Sequence, residues 1–320
     1  PLVIYATGET HTWVDKFADL CGLGTRAIRR IAVDVDGRMR ADALRAAIVA
    51  DKGAGAIPGF VIGSAGTVST GAIDPLDELS TICAEHGVWF HVDGAYGAPA
   101  AALPDAPAEL AALSRADSVA VDPHKWLYAP IEAGCVLVRD AEALRTSFSF
   151  HPPYYHFEGS ADDPPTNFFE WGPQNTRGFK ALKVWLGIRQ AGREGIVASI
   201  ADDIALARRM YERVGEYAEL ERLTCGLSIT TFRYVPPELR EQANAPDVQE
   251  YLNELNQAVL TAVQESGEAY PSNAVIGGKY AIRACIVNFR TTAADADALP
   301  EIVVRHGRAV HERLRVARGG

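Results

Sequence analysis

The sequence is poor in cysteine and has no long hydrophobic run, no internal repeat and no low-complexity segment. Its five cysteines are scattered, odd in number and without metal-site spacing, so we expect free, buried thiols of a reducing cytoplasm and no metal. No stretch approaches the roughly 18 apolar residues that a transmembrane helix needs. These absences argue against a metal site and a membrane-embedded protein.

The net charge is strongly negative. With 31 basic and 41 acidic residues it is -10 at pH 7, which argues against nucleic acid or an anionic membrane surface as partner. Hydrophobic residues make up 48% of the 320 residues, enough for a sizeable buried core. The length allows one large domain and a smaller one. From the scattered cysteines we also predict a cytoplasmic protein.

The first five residues, PLVIY, form an apolar segment with no initiator methionine and no charged leader. This pattern predicts a strand that already lies inside a domain. We therefore expect a fragment, a processed chain or a partly described one, from which an N-terminal portion is absent.

Two short apolar segments each end near a residue of distinctive chemistry. Residues 88–92 predict a buried strand that leads into Asp93. Residues 118–121 predict another, which leads through a short turn to Lys125. Ligands bind at the carboxyl ends of strands in open α/β sheets, and pyridoxal phosphate needs a lysine amine and an acid beside its pyridine nitrogen. Singly, a surface lysine and a strand-end aspartate are the simpler interpretation; together they favour the cofactor.

Strands and helices alternate along the first part of the chain. Strands are predicted at residues 2–6, 31–34 and 57–62, each followed by a helix. The helix after the third strand is predicted to have Asp74 as its N-cap and Pro75 as its first residue. This order predicts right-handed βαβ units, and therefore an α/β fold with a mostly parallel sheet flanked by helices.

Three segments resemble the motifs of one enzyme family, in the same order. Residues 63–76 (GSAGTVSTGAIDPL), 91–97 (HVDGAYG) and 122–126 (DPHKW) resemble the group II pyridoxal-phosphate-dependent decarboxylases, the aromatic-L-amino-acid decarboxylase family. Three ordered motifs are far more specific than one short pattern. The resemblance implies a fold-type-I large domain with a small C-terminal α+β domain, pyridoxal 5'-phosphate as cofactor, and a homodimer with a shared active site.

The resemblance also implies roles for residues of this chain. Lys125 forms the Schiff base, Asp93 keeps the pyridine nitrogen protonated, and His11 stacks on the ring and takes part in catalysis. Many relatives carry asparagine in place of Asp122, where a carboxylate would repel a phosphate. Most phosphate-binding residues are expected in the absent N-terminal portion. The residues that match further cofactor contacts of the family are Thr67, Ala95, Asp122 and His124.

Two of these residues have a simpler interpretation from chemistry alone. A histidine at a strand-to-helix junction is commonly a cap or a surface residue, which applies to His11. A threonine in a loop of small residues commonly stabilises its own turn, which applies to Thr67. Both alternatives remain open at the level of sequence.

A long irregular segment, residues 148–169, contains aromatic residues and prolines followed by acidic residues. Loops of this length are functional or disordered. In the family, a mobile loop here carries a tyrosine that protonates the substrate carbon after CO2 leaves. The matching residue is Tyr154, with Tyr155 as its neighbour. Relatives that make aldehydes carry phenylalanine there, so Tyr154 together with His11 favours the amine; the alternative is an ordinary surface loop.

We divide the chain into three parts. Residues 1–192 are predicted to form the large cofactor-binding domain, 193–222 a connecting helix, and 223–320 a small α+β domain. Strands of the small domain are predicted at 227–234 and 281–289. Nothing in its sequence demands a catalytic role.

The predicted function is pyridoxal-phosphate-dependent decarboxylation of an L-amino acid. Aromatic substrates are the family default, and glutamate or another acidic substrate is an alternative. An aminotransferase or a carbon–sulfur or carbon–carbon lyase of the same fold would use the same cofactor for other chemistry. A chain without its N-terminal portion could also be a non-catalytic scaffold or one half of a split enzyme.

Overall fold

The computed structural model describes residues 1–154 and 166–319, which contain two β-sheets. The strands of the first sheet are β1 (Leu2–Thr7), β2 (Ile28–Ile31), β3 (Ile57–Ser64), β4 (Trp89–Asp93), β5 (Ser118–Val121) and β6 (Cys135–Val138). They lie in the order β2-β1-β3-β4-β5-β6. All neighbours are parallel except β5 and β6, which are antiparallel. The predicted α/β fold with a mostly parallel sheet is confirmed.

The second strand begins and ends earlier than predicted. Residues 31–34 were expected to form it, but β2 ends at Ile31 and only an isolated bridge joins Val33 to Met39. Val33 is exposed, so residues 32–34 do not contribute a buried apolar side chain of the kind that a central strand has. The apolar residues that pair with β1 lie before it, in the segment IRRI.

Helices cover the first sheet unequally. The helices of this part of the chain are α1 (Trp13–Leu20), α2 (Ala41–Gly53), α3 (Leu76–His86) and α4 (Ala141–Phe148), of which the first three pack on the sheet. Leu44 and Ile48 of α2, with Leu79 of α3, pack against one face in a core that includes Phe90 and Val92 of β4. Helix α1 contacts the opposite face near β1 and β3. Because side chains alternate along a strand, this arrangement leaves alternate residues of β4 and β5 facing away from α2 and α3.

The start of α3 differs from the prediction. The N-cap is Pro75, not Asp74, and α3 begins at Leu76. The Asp74 side chain is buried, and its carboxylate accepts N–H bonds from Met39 at 2.6 Å and Ser64 at 2.7 Å. Burial raises the pKa of Asp74 to about 6, and the two N–H bonds act against that rise. The residues around Asp74 have the composition of a helix start, which is why the sequence predicts a cap. Asp74 instead lies beside the end of β3, where its carboxylate accepts backbone N–H groups from other segments.

A long helix, α5 (Lys180–Val214), follows the described part of the irregular segment. Its backbone is non-helical at Gly192, where φ is 67° and ψ is 173°. The sequence predicts two helices separated near this glycine. The structure has one helical segment on each side of Gly192. The interruption falls at a glycine, which adopts a positive φ without strain.

The second sheet is antiparallel. Its strands are β7 (Leu220–Gly226), β8 (Ile229–Tyr234), β9 (Ser272–Ile276) and β10 (Lys279–Cys285), in the order β7-β8-β10-β9. Helices α6 (Pro246–Ser266) and α7 (Ala293–Gly319) pack with α5 and this sheet around a second core. Strand β7 was not predicted, because its sequence LERLTCG alternates too weakly between polar and apolar residues.

The cysteines are less buried than expected. Cys83 is buried, and burial raises its pKa to about 12. Cys21, Cys135 and Cys225 are exposed, contrary to the expectation of buried thiols, because they lie at a helix end and in strands at sheet edges. In the described ranges, 1–154 and 166–319, no helix combines the length and the hydropathy needed to cross a membrane.

Candidate active site

A cavity of about 770 Å³ lies over the carboxyl ends of the central strands of the first sheet. The intervening strand residues, among them Val61 and Phe90, point to the opposite face and into the core. The sheet thus presents one apolar face to the helices and a second, partly polar face to the cavity. The residues that β3, β4 and β5 contribute to the cavity lining include Ile62, Ser64, His91, Asp93, Ser118 and Ala120.

Asp93 is the last residue of β4, and both of its carboxylate oxygens accept hydrogen bonds. Oδ2 accepts from the indole Nε1–H of Trp13 at 2.7 Å, and Oδ1 accepts from the Ala95 backbone N–H at 3.2 Å. A carboxylate has about four acceptor positions, so a further donor still finds a lone pair. Asp93 can therefore accept a further hydrogen bond, from a protonated ring nitrogen, without losing its present partners.

Lys125 lies in the turn after β5 and also lines the cavity. Its Nζ lies 2.9 Å from Asp122 Oδ2, so the carboxylate that was predicted near a phosphate is paired with the lysine amine. His124 lies outside the cavity lining: its Nδ1 lies 2.6 Å from the Ala133 carbonyl oxygen. The structure therefore brings Lys125 and Asp122 to the cavity and leaves His124 in the supporting loop.

Two aromatic residues after Lys125 hold this turn against α5. The Trp126 indole, which is fully buried, donates to Asp203 Oδ2 at 2.9 Å, and the Tyr128 hydroxyl donates to the same oxygen at 2.8 Å. Burial raises the pKa of Asp203, and the two donors act against that rise. These two hydrogen bonds to one carboxylate oxygen restrict the turn that carries Lys125.

The second sheet also supports the cavity. The Tyr96 ring stacks on Trp126 with centroids 4.6 Å apart, and its hydroxyl lies 2.6 Å from Ser228 Oγ. Gly71 has a φ of 73°, and a Cβ there would lie 2.3 Å from the Gly226 carbonyl oxygen. A side chain at this position would therefore separate the loop after β3 from the β7–β8 turn.

The remaining predicted ring contacts also line the cavity. His11 is exposed, and its Nδ1 accepts the Trp13 backbone N–H at 3.2 Å. Thr67 is buried, and its hydroxyl lies 2.9 Å from Thr70 Oγ1 and accepts the Ala72 N–H at 3.2 Å. The Thr67 hydroxyl thus stabilises its own turn while the residue borders the cavity.

Three cavity residues from the C-terminal part were missed by the sequence analysis. Arg283 and Cys285 of β10 and Val287 beyond it line the cavity. Arg283 donates from Nε to the Val68 carbonyl oxygen at 2.6 Å, and burial raises the pKa of the Cys285 thiol. The sequence does show an arginine inside a mostly apolar strand. Its place at the cavity is visible only from the way the second sheet packs.

Tyr154 is not brought to this cavity. Its side chain is 75% exposed and borders a separate pocket of about 590 Å³, together with Phe148 and His151. Tyr155, the alternative proton donor, lies outside the described residues. The catalytic role of Tyr154 therefore stays a prediction.

The cavity residues match the reactive end of pyridoxal phosphate. Lys125 offers an amine, Asp93 a carboxylate, His11 a flat imidazole and Ala95 a small side chain beside the carboxylate. The cavity volume lies within the range of small-molecule sites. For the phosphate, the lining offers the guanidinium of Arg283, while the Thr67 hydroxyl is used within its own turn. The location of most phosphate contacts outside this chain stays a prediction.

The chain is similar to known proteins over most of its length. Residues 1–234 match the family described as "Pyridoxal-dependent decarboxylase conserved domain". The chain is 36% identical over 294 residues to an aromatic-L-amino-acid decarboxylase of Bacillus atrophaeus, a match that covers 92% of this chain and 60% of that protein.

Two solved structures have the same fold as this chain. A crystal structure of mouse CSAD has a TM-score of 0.89 at 29% identity, over 96% of this chain and 64% of that one. Oryza sativa TDC with PLP and tryptamine has a TM-score of 0.88 at 26% identity, over 96% of this chain and 63% of that one. The chain thus spans less than two thirds of the length of these relatives.

Proposed function

We propose, on the premise that the chain belongs to the pyridoxal-dependent decarboxylase family, that it releases the carboxylate of an L-amino acid as CO2. The observation that carries the proposal is the convergence of Lys125, Asp93 and His11 on one cavity. These residues come from three separate segments, and together they offer the amine, the acid and the flat ring that pyridoxal phosphate chemistry uses.

Pyridoxal phosphate, when bound, supplies an electron-withdrawing ring that stabilises the negative charge left on the substrate carbon. Lys125 provides the amine that holds the cofactor, and Asp122, at 2.9 Å, orients that amine. Asp93 holds a proton at the ring nitrogen through whichever lone pair its two present donors leave open. His11 and Ala95, which line the same cavity, would hold the ring and limit its movement.

The second sheet completes the cavity in this proposal. Residues 1–192 carry the cofactor, and residues 223–320 contribute Arg283 to the cavity. A guanidinium there offers positive charge to the carboxylate group of an amino-acid substrate, and the hydrogen bond from its Nε to Val68 keeps it in place.

Aromatic amino acids are the substrates that we propose. The proposal is supported by the name of the Bacillus atrophaeus relative and by the tryptamine in the Oryza sativa structure. Tyr154 is proposed as the proton donor to the substrate carbon. Its exposed position, away from the cavity of its own chain, fits a homodimer in which this segment serves the neighbouring subunit.

The test is a product assay with purified protein, added pyridoxal phosphate and L-tryptophan, L-tyrosine, L-phenylalanine or L-glutamate. We expect CO2 and amine in equal amounts from an aromatic substrate, with no keto acid. Formation of keto acid without CO2 would show that the protein transfers the amino group and does not decarboxylate its substrate. CO2 from L-glutamate alone would overturn the aromatic class. The Lys125→Ala protein is the control for cofactor chemistry in solution.

A further inference from the structure

Trp13 directs two N–H groups at two different residues of the candidate site. It is the first residue of α1, directly after the turn that carries His11. Its backbone N–H donates to His11 Nδ1 at 3.2 Å, and its indole Nε1–H donates to Asp93 Oδ2 at 2.7 Å. One residue therefore contacts both the imidazole and the carboxylate that the proposed function assigns to the cofactor ring.

The orientation of the Trp13 indole is restricted by its neighbours. The ring meets His91 edge to face with centroids 5.7 Å apart, and meets Phe17 in the same way at 6.1 Å. His91 is itself held, because its Nδ1 lies 2.8 Å from Ser118 Oγ. Packing on both sides thus keeps the Nε1–H directed at Asp93.

The indole is the closer of the two donors to this carboxylate. The other, the Ala95 backbone N–H, lies 3.2 Å away, against 2.7 Å for the indole. A donor that approaches a carboxylate stabilises its ionised form relative to its protonated form. A proton shared between Asp93 and a ring nitrogen is therefore shifted toward the nitrogen.

We infer that Trp13 is a positioning residue whose indole N–H holds the Asp93 carboxylate in place, and so helps to keep the proton on the ring nitrogen of bound pyridoxal phosphate. This inference rests on the proposed function, because it takes Asp93 as the partner of that nitrogen. Nothing in the sequence motifs distinguishes Trp13 from an ordinary apolar residue of α1, since the contact with Asp93 joins residues 80 positions apart.

The chain offers a matched control for the loss of an indole N–H. Trp89 lines the same cavity, but its Nε1–H donates to Ser118 Oγ at 2.9 Å and not to a carboxylate. Trp13→Phe and Trp89→Phe remove the same chemical group from the same cavity. Only the first removes a donor from Asp93.

The experiment is NMR of the holoenzyme with pyridoxal phosphate that is isotope-labelled at its ring nitrogen. In Trp13→Phe we expect the nitrogen signal to move toward that of the unprotonated ring, in the same direction as in Asp93→Ala but less far. In Trp89→Phe we expect it to stay in place. For Trp13→Phe we also expect kcat to fall about tenfold with KM little changed.

A signal that stays in place in Trp13→Phe while Asp93→Ala moves it would overturn this inference and leave the proposed function standing. If Asp93→Ala itself leaves the signal in place, the proposed role of Asp93 is wrong and the inference fails with it. Should Trp13→Phe fold poorly, benzothienylalanine at position 13 keeps the ring shape and replaces the N–H with sulfur. The same shift is then expected, and its absence is equally decisive.

Discussion

The two faces of the six-stranded sheet differ in kind although the same strands build both. On the helix face, Val61, Phe90 and Val92 are at most 1% exposed and pack against α2 and α3. On the cavity face, the alternate positions of the same strands include His91 and Asp93. The comparison shows that one face stabilises the fold and that the other is available for chemistry, because adjacent residues of a strand face opposite ways.

Two carboxylates at the same edge of the sheet show this difference within one residue type. Asp74 lies inside the protein and accepts two backbone N–H groups from separate segments. Asp93 lines the cavity and accepts one side-chain and one backbone donor. The first organises loops around the end of β3, and the second is accessible to a ligand.

Loss of the lysine amine should give the largest effect on the cavity face. We expect Lys125→Ala to lower the rate of CO2 release by about a thousandfold or more, because the amine that holds the cofactor is removed. The free energy of unfolding should change little, since the Lys125 side chain is 38% exposed. Activity within severalfold of the wild-type protein would contradict the assignment of Lys125.

Substitutions at neighbouring positions of β4 should separate the two faces by their effect on stability. Phe90→Ala removes a ring that is 1% exposed, and we expect a loss of about 3–5 kcal/mol in the free energy of unfolding. His91→Ala removes the hydrogen bond with Ser118, and we expect a loss of about 1 kcal/mol. Denaturant unfolding measures both, and equal losses would show that the two faces do not differ in this way.

The buried carboxylate should produce a pH dependence that Asp74→Asn removes. The pKa of Asp74 is raised from 3.8 to about 6, so its stabilising contribution is present at low pH and is lost as the pH rises through this interval. As the pH rises from about 4 to 7, we expect the free energy of unfolding of Asp74→Asn to increase by roughly 2–3 kcal/mol relative to that of the wild-type protein. A difference that does not change with pH would show that Asp74 does not titrate in this interval.

The smallest effect on stability is expected at Tyr154, which lies on neither face. Its ring is 75% exposed, so Tyr154→Phe should change the free energy of unfolding by less than about 0.5 kcal/mol. If its hydroxyl protonates the substrate carbon, amine formation should nevertheless fall. In the presence of O2 as oxidant, aldehyde should appear in its place, together with ammonia and hydrogen peroxide. Product analysis that finds unchanged amine yield would remove Tyr154 from the mechanism.

The parts of the site that follow directly from strand ends were predictable from the sequence. Asp93 and Lys125 each come after a short apolar strand, and parallel neighbours bring such ends to one edge. The mostly parallel sheet follows from the same alternation of strands and helices. These features depend on local pattern, which a sequence displays.

The features that escaped prediction depend on contacts between distant segments. Arg283 reaches the cavity because β10 lies in a second sheet that packs over the loop after β3. Asp74 has the sequence context of a helix cap, but its partners are Met39 and Ser64. Trp13 belongs to an amphipathic helix by pattern, and only the folded chain brings its indole to Asp93. Local composition does not encode such partners.

The most direct test of the account is to find where pyridoxal phosphate attaches. The protein is mixed with the cofactor, reduced with borohydride and digested, and the modified peptide is identified by mass spectrometry. We expect a visible absorption band before reduction and a single modified site at Lys125, absent from Lys125→Ala. Attachment at another lysine, or an equal yield in Lys125→Ala, would contradict the claim that the cavity face of the sheet is the active site.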